Sequence, residues 1–137
     1  MATPVGKRKL PLMAPTTFAG VMTLLYPRLR WLVTDSLVNE ILVIDTANGN
    51  VASTISSSVF SNLNGIAISP DGKYLYVANS GTNQVLIISV ATGRIVSTIN
   101  KGFSNPMGIA FAPNGAYLYV VNFWPSNVVI VNPGSYN

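Results

Sequence analysis

Hydrophobic residues in the second half of the chain fall into short runs that turn residues separate. Between residues 65 and 99 these runs read "GIAIS", "YLYVAN", "QVLIISV" and "RIVSTI", with "PDG" after the first and "ATG" after the third. Short runs rich in β-branched and aromatic residues, bounded by Gly and Pro, predict β-strands joined by tight turns. The third run is apolar at consecutive positions, which is typical of a strand covered on both faces. The pattern therefore predicts a four-stranded antiparallel sheet that has other sheets stacked against it.

The same pattern recurs along the chain. Gly65 returns as Gly108 at a spacing of 43 residues, within "GIAISPDGKYLYVAN" and "GIAFAPNGAYLYVVN". Upstream, residues 30–55 match residues 74–99 at a spacing of 44 residues. A four-stranded unit of this period indicates the blades of a β-propeller.

The wording of the repeat points to a family. "GIAISPDGKYLYVAN" (residues 65–79) followed by "VLIISVATGRIVSTI" (residues 85–99) closely resembles the YVTN-type β-propeller repeat found in surface-layer propellers. The segments "YVAN" at residues 76–79 and "YVVN" at residues 119–122 carry the motif itself. The resemblance covers roughly residues 30–132. It implies an all-β fold built from four-stranded antiparallel blades.

The repeat divides the chain into four predicted segments. These are a basic N-terminal arm or closing strand (residues 1–17), a degenerate first blade (18–62), a complete second blade (63–105) and a third blade without its outer strand (106–137). Closed propellers have four to eight blades, so about three blades would leave apolar faces uncovered. We therefore expect a partial propeller, completed by self-association through the exposed blade faces or by a further part of the chain.

Composition supports a β-rich protein and narrows its partners. Hydrophobic residues make up 49% of the chain and charged residues 9%, against about 25% charged in a typical domain. No run reaches the roughly 18 apolar residues of a membrane helix, so we expect no transmembrane segment. Of the basic residues behind the net charge of +4, five lie in the first 30 positions. We expect this cluster to aid solubility or to form part of a signal peptide, and we do not expect nucleic-acid binding.

The inventory of reactive groups is short. The chain contains no His and no Cys, and its acids are Asp35, Glu40, Asp45 and Asp71. Asp71 stands in the "PDG" turn and is replaced by Asn114 in the next repeat, which favours a turn role over a catalytic one. We therefore expect no catalytic residues, no metal site and no cofactor in this chain.

One end of the predicted sheets offers a candidate binding site. In a propeller, the loops after the second and fourth strands of each blade lie on one face, and by analogy that face holds the ligand site. Aromatic rings and amides suit a sugar or a protein surface. The candidate residues are Asn79, Asn83, Asn105, Asn122, Phe123 and Trp124. Two alternatives remain: Trp124 packs against a neighbouring blade, and Asn79 and Asn122 bond the backbone of their loops.

The sequence thus predicts a non-catalytic propeller scaffold that binds a protein or saccharide ligand. The alternative is the propeller part of an enzyme, of the lactonase or quinone-dependent dehydrogenase type, with catalytic groups supplied elsewhere. The family resemblance implies an extracellular, cell-surface or periplasmic location, and the cytoplasm stays open as an alternative.

Overall fold

The computed structural model describes residues 18–25 and 28–135, and eleven strands within them form three antiparallel sheets. Sheet 1 contains β1 (Phe18–Leu25), β2 (Arg28–Asp35), β3 (Glu40–Asp45) and β4 (Val51–Ser56). Sheet 2 contains β5 (Leu63–Ile68), β6 (Tyr74–Asn79), β7 (Gln84–Ser89) and β8 (Ile95–Ile99). Sheet 3 contains β9 (Pro106–Phe111), β10 (Leu118–Asn122) and β11 (Asn127–Val131). In each sheet, strands that are consecutive in the chain are neighbours.

This architecture confirms the predicted all-β fold of antiparallel sheets in a partial propeller. Sheets 1 and 2 each have four strands, and within the described residues no fourth strand lies beside β11. The arm, closing strand or signal peptide predicted for residues 1–17 lies outside the described residues, and the blade boundaries stay predictions. None of the residues described belongs to a helix that could span a membrane.

The three sheets pack face to face through two apolar cores. The first core joins sheets 1 and 2 and includes Leu32, Ile41, Val43, Leu75, Val77, Leu86 and Ile88. The second joins sheets 2 and 3 and includes Tyr76, Val85, Ile87, Leu118, Val120 and Val131. Strand β7 contributes alternate side chains to both cores, so its apolar residues are buried on both faces, as its sequence predicts. The apolar surface removed from water supplies the main stabilisation of the stack.

The sheets approach each other most closely at their inner strands, where β5 lies against both β1 and β9. At this point Gly65 has no room for a side chain. A Cβ atom there would lie 2.9 Å from the backbone nitrogen of Ile109 and would also overlap the carbonyl oxygen of Met107. Gly108, the repeat counterpart of Gly65, has only ordinary contact at 3.7 Å, with the side chain of Val121. The difference arises because a neighbouring inner strand passes Gly65, whereas none among the described residues passes Gly108.

This pair of glycines gives a matched test of the packing. Gly65→Ala should lower the free energy of unfolding by about 2–3 kcal/mol, because the new methyl group meets rigid backbone of β9. Gly108→Ala should change the free energy of unfolding of the isolated chain by less than about 0.5 kcal/mol. Urea unfolding followed by circular dichroism measures both values. Equal effects at the two positions would show that sheets 2 and 3 do not meet as described.

Candidate functional site on the loop face

All six predicted site residues lie at one end of the sheets. The loops after β6 and β10 occupy residues 80–83 and 123–126, and the connections between sheets occupy residues 57–62 and 100–105. Because the strands are antiparallel and consecutive, these four segments meet at the same end of the stack. We call this end the loop face.

Asn79, the last residue of β6, is a buried link between two segments of the loop face. Its Oδ1 accepts a hydrogen bond from the Ser61 backbone N–H at 2.7 Å. Its Nδ2 donates to the Val59 carbonyl at 2.9 Å and to Thr82 Oγ1 at 2.8 Å. The amide therefore holds the connection between sheets 1 and 2 against the end of β6.

Asn122 repeats this arrangement in sheet 3. Its Oδ1 accepts from the Ser104 N–H at 3.0 Å, and its Nδ2 donates to the Gly102 carbonyl at 3.0 Å and to Asn127 Oδ1 at 2.9 Å. Asn122 is buried, as is Asn79. The prediction that these two amides contact a ligand needs correction, because their donors and acceptors are bonded within the protein. They bond the segment that precedes their own sheet, which comes close to the structural alternative left open by the sequence.

Phe123 and Trp124 present the largest apolar side chains of the loop face to solvent. Phe123 is 60% exposed and Trp124 is 74% exposed, so Trp124 packs against none of the three described sheets. The repeat counterpart of Trp124 is Gly81, where a Cβ atom would lie 2.7 Å from the Cβ of Ser61. Sheet 2 thus has no space for a side chain at this position, and only sheet 3 carries an aromatic pair there.

Asn83 and Asn105 are linked to Phe123 by two consecutive hydrogen bonds. The Asn105 N–H donates to Asn83 Oδ1 at 2.6 Å, and the Phe123 N–H donates to the Asn105 carbonyl at 3.0 Å. Asn83 and Asn105 both adopt positive φ, at 55° and 49°. The same link occurs between sheets 1 and 2, where the Asn62 N–H donates to Asn39 Oδ1 at 2.6 Å. Sequence reasoning missed Asn39 and Asn62, although the spacing of 44 residues between Asn39 and Asn83 marks the first of them.

The carboxylates of sheet 1 are held apart by local partners. Asp35, at the end of β2, accepts from the Leu37 N–H at 3.0 Å. Asp45, at the other end of the sheet, lies 3.5 Å from the Arg30 guanidinium. In the described part of the chain, no three acidic, His or Cys side chains lie close enough to hold a metal ion.

Asp71 lies in the turn between β5 and β6, at the end opposite the loop face. The Ser69 hydroxyl donates to its carboxylate at 2.6 Å and the Lys73 N–H at 3.0 Å. These hydrogen bonds lower the pKa of Asp71, because they stabilise its charged form. Asn114, the repeat counterpart, accepts from the Ala116 N–H at 3.0 Å in the same way. The shared contact supports the predicted turn role, which requires an acceptor and not a charge.

Two cavities of about 400 Å³ each open between adjacent sheets among the residues that the structure describes. One lies between β4 and the turn at residues 90–93, and the other lies among the turns at residues 69–71, 114–116 and 132–134. Neither cavity includes Phe123 or Trp124. The aromatic pair is therefore separate from both cavities.

Comparison with known proteins shows that the fold is a β-propeller. It also shows to which propeller family the chain belongs. The family model described as "Lactonase, 7-bladed beta-propeller" matches residues 34–134. The chain therefore belongs to the seven-bladed lactonase propeller family. A comparison with curated proteins gave no match.

Solved structures share the fold at low sequence identity. Hydrazine synthase from Kuenenia stuttgartiensis superposes with a TM-score of 0.73 at 18% identity, covering 97% of this chain and 37% of that chain. A Bacteroides fragilis protein assigned as a 6-phosphogluconolactonase gives 0.64 at 23% identity, covering 75% and 31%. The dihydro-heme d1 dehydrogenase NirN gives 0.57 at 22% identity, covering 75% and 22%. The present chain thus spans well under half the length of each.

The family match corrects one prediction. The expectation of a non-catalytic, non-enzyme scaffold is wrong, because the family match supports the alternative of an enzyme-related propeller. The reactive side chains of this chain do not indicate the family, because the resemblance to it lies in the repeated sheets. The finer YVTN-type identity stays a prediction.

The hydrogen bonds of the buried Asn79 amide should contribute to the free energy of unfolding. Asn79→Ala should lower the free energy of unfolding by about 3 kcal/mol, because it leaves the Ser61 N–H and the Val59 carbonyl without their partner. The control is Asn48→Ala, which removes an exposed amide that bonds only the neighbouring Asn50 N–H. That change should stay below about 1 kcal/mol. A similar loss in both variants, measured by urea unfolding, would contradict the linking role of Asn79.

Proposed function

We propose that this chain forms part of a lactonase-related propeller enzyme, to which it contributes sheets and a substrate-facing loop surface. The observation that carries the proposal is the family match over residues 34–134, which includes all of sheets 2 and 3. The solved structure assigned as a 6-phosphogluconolactonase supports the same class. The substrate class that we propose is a cyclic ester of a sugar acid.

The described residues define what this chain contributes to such chemistry. Opening a lactone requires an activated water and donors that stabilise the developing oxyanion. The chain has no His, and its buried carboxylates are engaged by local partners at opposite ends of sheet 1. We therefore propose that the catalytic groups come from outside the described residues. The role of this chain is then to bind and orient the substrate.

Charge on the loop face suggests which substrates fit. Lys101 is exposed in the connection between sheets 2 and 3, beside the loop that carries the aromatic pair. Lys73 is also exposed but lies in the turn at the opposite end. An anionic, phosphorylated sugar acid would be attracted to Lys101 and would gain little from Lys73.

The proposal is tested with 6-phosphogluconate, the product of the proposed reaction. A saturating concentration should raise the melting temperature of the purified chain by a few degrees, because a ligand that binds only the folded state stabilises it. Lys101→Gln should reduce this shift, and Lys73→Gln should leave it unchanged. Glucose serves as the uncharged control. No shift with 6-phosphogluconate would overturn the lactonase-related proposal.

A second candidate function rests on the exposure of the aromatic pair. Phe123 and Trp124 are 60% and 74% exposed, and the Phe123 N–H donates to the Asn105 carbonyl. Flat, exposed aromatic rings suit a neutral sugar ring or a protein surface. We include this recognition role because neither ring is covered by another side chain within the described part of the chain.

Neutral disaccharides built from glucose or N-acetylglucosamine distinguish this second function. Titration calorimetry measures their affinity for the wild-type chain and for Trp124→Ala. The affinity should be about tenfold weaker in Trp124→Ala, since ring stacking contributes about 1–2 kcal/mol. The matched control is Val96→Ala, which shortens an exposed side chain on β8, away from the loop face. Unchanged affinity in Trp124→Ala would remove the aromatic pair from any saccharide site.

A further inference from the structure

The cavity among the turns at residues 69–71, 114–116 and 132–134 is lined by aromatic residues and by the carboxylate-bearing Asp71. Its volume of about 400 Å³ lies within the range of roughly 300–1,000 Å³ that is usual for small-ligand sites. A Cβ atom at Gly115 would lie 2.7 Å from Cγ of Pro70, so the turns of sheets 2 and 3 touch at one side of the cavity. We call this space the turn cavity.

The aromatic residues of the turn cavity are Tyr74, Tyr76 and Phe111. Tyr74 and Phe111 are half-buried, so part of each side chain is accessible. Tyr76 is buried, and its ring meets the Phe111 ring edge to face with 5.0 Å between the centroids. This contact joins sheet 2 to sheet 3 and restrains the Phe111 ring. The faces of aromatic rings are electron-rich and attract cations.

The repeat does not require aromatic residues at these positions. At the corresponding place between sheets 1 and 2, Leu32 is the counterpart of Tyr76 and Ile68 is the counterpart of Phe111, and both pack in the first core. Within the described residues, the cavity beside β4 is lined by neither an aromatic nor a charged side chain. Aliphatic side chains therefore satisfy the packing, and the aromatic residues give the turn cavity a property that packing does not need.

Asp71 adds a negative charge to the turn cavity. The turn itself needs only an acceptor, since Asn114 serves in the same position of sheet 3. The Ser69 hydroxyl and the Lys73 N–H both donate to Oδ1 of Asp71, which leaves Oδ2 available to a ligand. These hydrogen bonds lower the pKa of Asp71, so the carboxylate is charged at neutral pH. The Lys73 ammonium attracts Asp71 from the same turn, but Lys73 does not line the cavity.

We propose that the turn cavity binds a small organic ammonium ion, whose cationic group is held by the rings of Tyr74 and Phe111 and by the Asp71 carboxylate. Attraction to the rings and attraction to the carboxylate act on the same charge. A quaternary ammonium group suits this site, because its methyl groups pack against the rings while its charge faces the carboxylate. The turn cavity lies at the end opposite the loop face, so the proposal is independent of the lactonase-related function.

Choline and its neutral isostere 3,3-dimethylbutan-1-ol test the requirement for charge, because they differ mainly in the cationic nitrogen. Nuclear magnetic resonance titration of the isotopically labelled chain at constant ionic strength measures both affinity and location. Choline should cause saturable shifts of the Gly115 and Gly134 amides and none at Phe123 on the loop face. The neutral alcohol should bind at least tenfold more weakly. Equal affinities, or no saturable shift around the turn cavity with choline, would refute the proposal.

Two substitutions test the assigned residues. Asp71→Asn and Phe111→Ile each introduce the residue that the repeat carries in the neighbouring sheet, so the fold should tolerate both. Asp71→Asn should weaken choline binding about tenfold, because it removes the charge and keeps the acceptor of the turn. Phe111→Ile should weaken binding about threefold through the loss of one ring. Unchanged affinity in either variant would contradict the site as assigned.

Glu40→Gln is the matched control for charge. It removes a carboxylate from β3 of sheet 1, outside the turn cavity, and should leave the affinity for choline unchanged. An equal loss in Glu40→Gln and Asp71→Asn would show that choline responds only to the net charge of the chain, which would count against a built site. The comparison of choline with its isostere uses the wild-type chain and decides the proposal even where a variant fails to fold.

Discussion

Burial of one sheet's apolar face against the next is the interaction on which the rest of this structure depends. Each sheet alone has two apolar faces and few charges, so it gains stability only from a neighbour on each side. Strand β7 shows the result, because Val85 and Ile87 pack on sheet 3 whereas Leu86 and Ile88 pack on sheet 1. The position of the loop face follows from this stacking. The arrangement of the loop face is therefore a product of the cores beneath it.

Hydrogen bonds of asparagine side chains hold the loops in place at one end of the stacked sheets. Asn79 and Asn122 each bond the segment that enters their own sheet, and Asn83 reaches the segment that enters the next sheet. These amides are buried or bonded, so they position the loops. Phe123 and Trp124 are the aromatic residues that the loop face presents outward. The amides thus have a structural role, and the proposed binding role falls to the aromatic pair on the same loops.

The strands could be predicted from sequence because the repeat shows the same alternation of apolar runs and turns more than once. The partners of Asn79 could not be predicted, since they lie 18 and 20 residues away and depend on how sheets 1 and 2 meet. The restriction at Gly65 likewise arises from the backbone of β9 and not from the surrounding sequence. The exposure of Trp124 depends on the tertiary arrangement in the same way. The relationship to an enzyme was predicted only as the alternative, because the family resemblance lies in the sheets and not in reactive groups.

Strand β11 has one further consequence, which concerns how the structure opens. It pairs with β10 on one side, and no strand in the described residues covers its other edge, whereas β7 pairs with both β6 and β8. Alternate backbone amides of β11 therefore face solvent and exchange their hydrogens without any opening of the sheet. The equivalent amides of β7 exchange only when neighbouring strands separate. We accordingly expect the outward amides of β11 to exchange before those of β7.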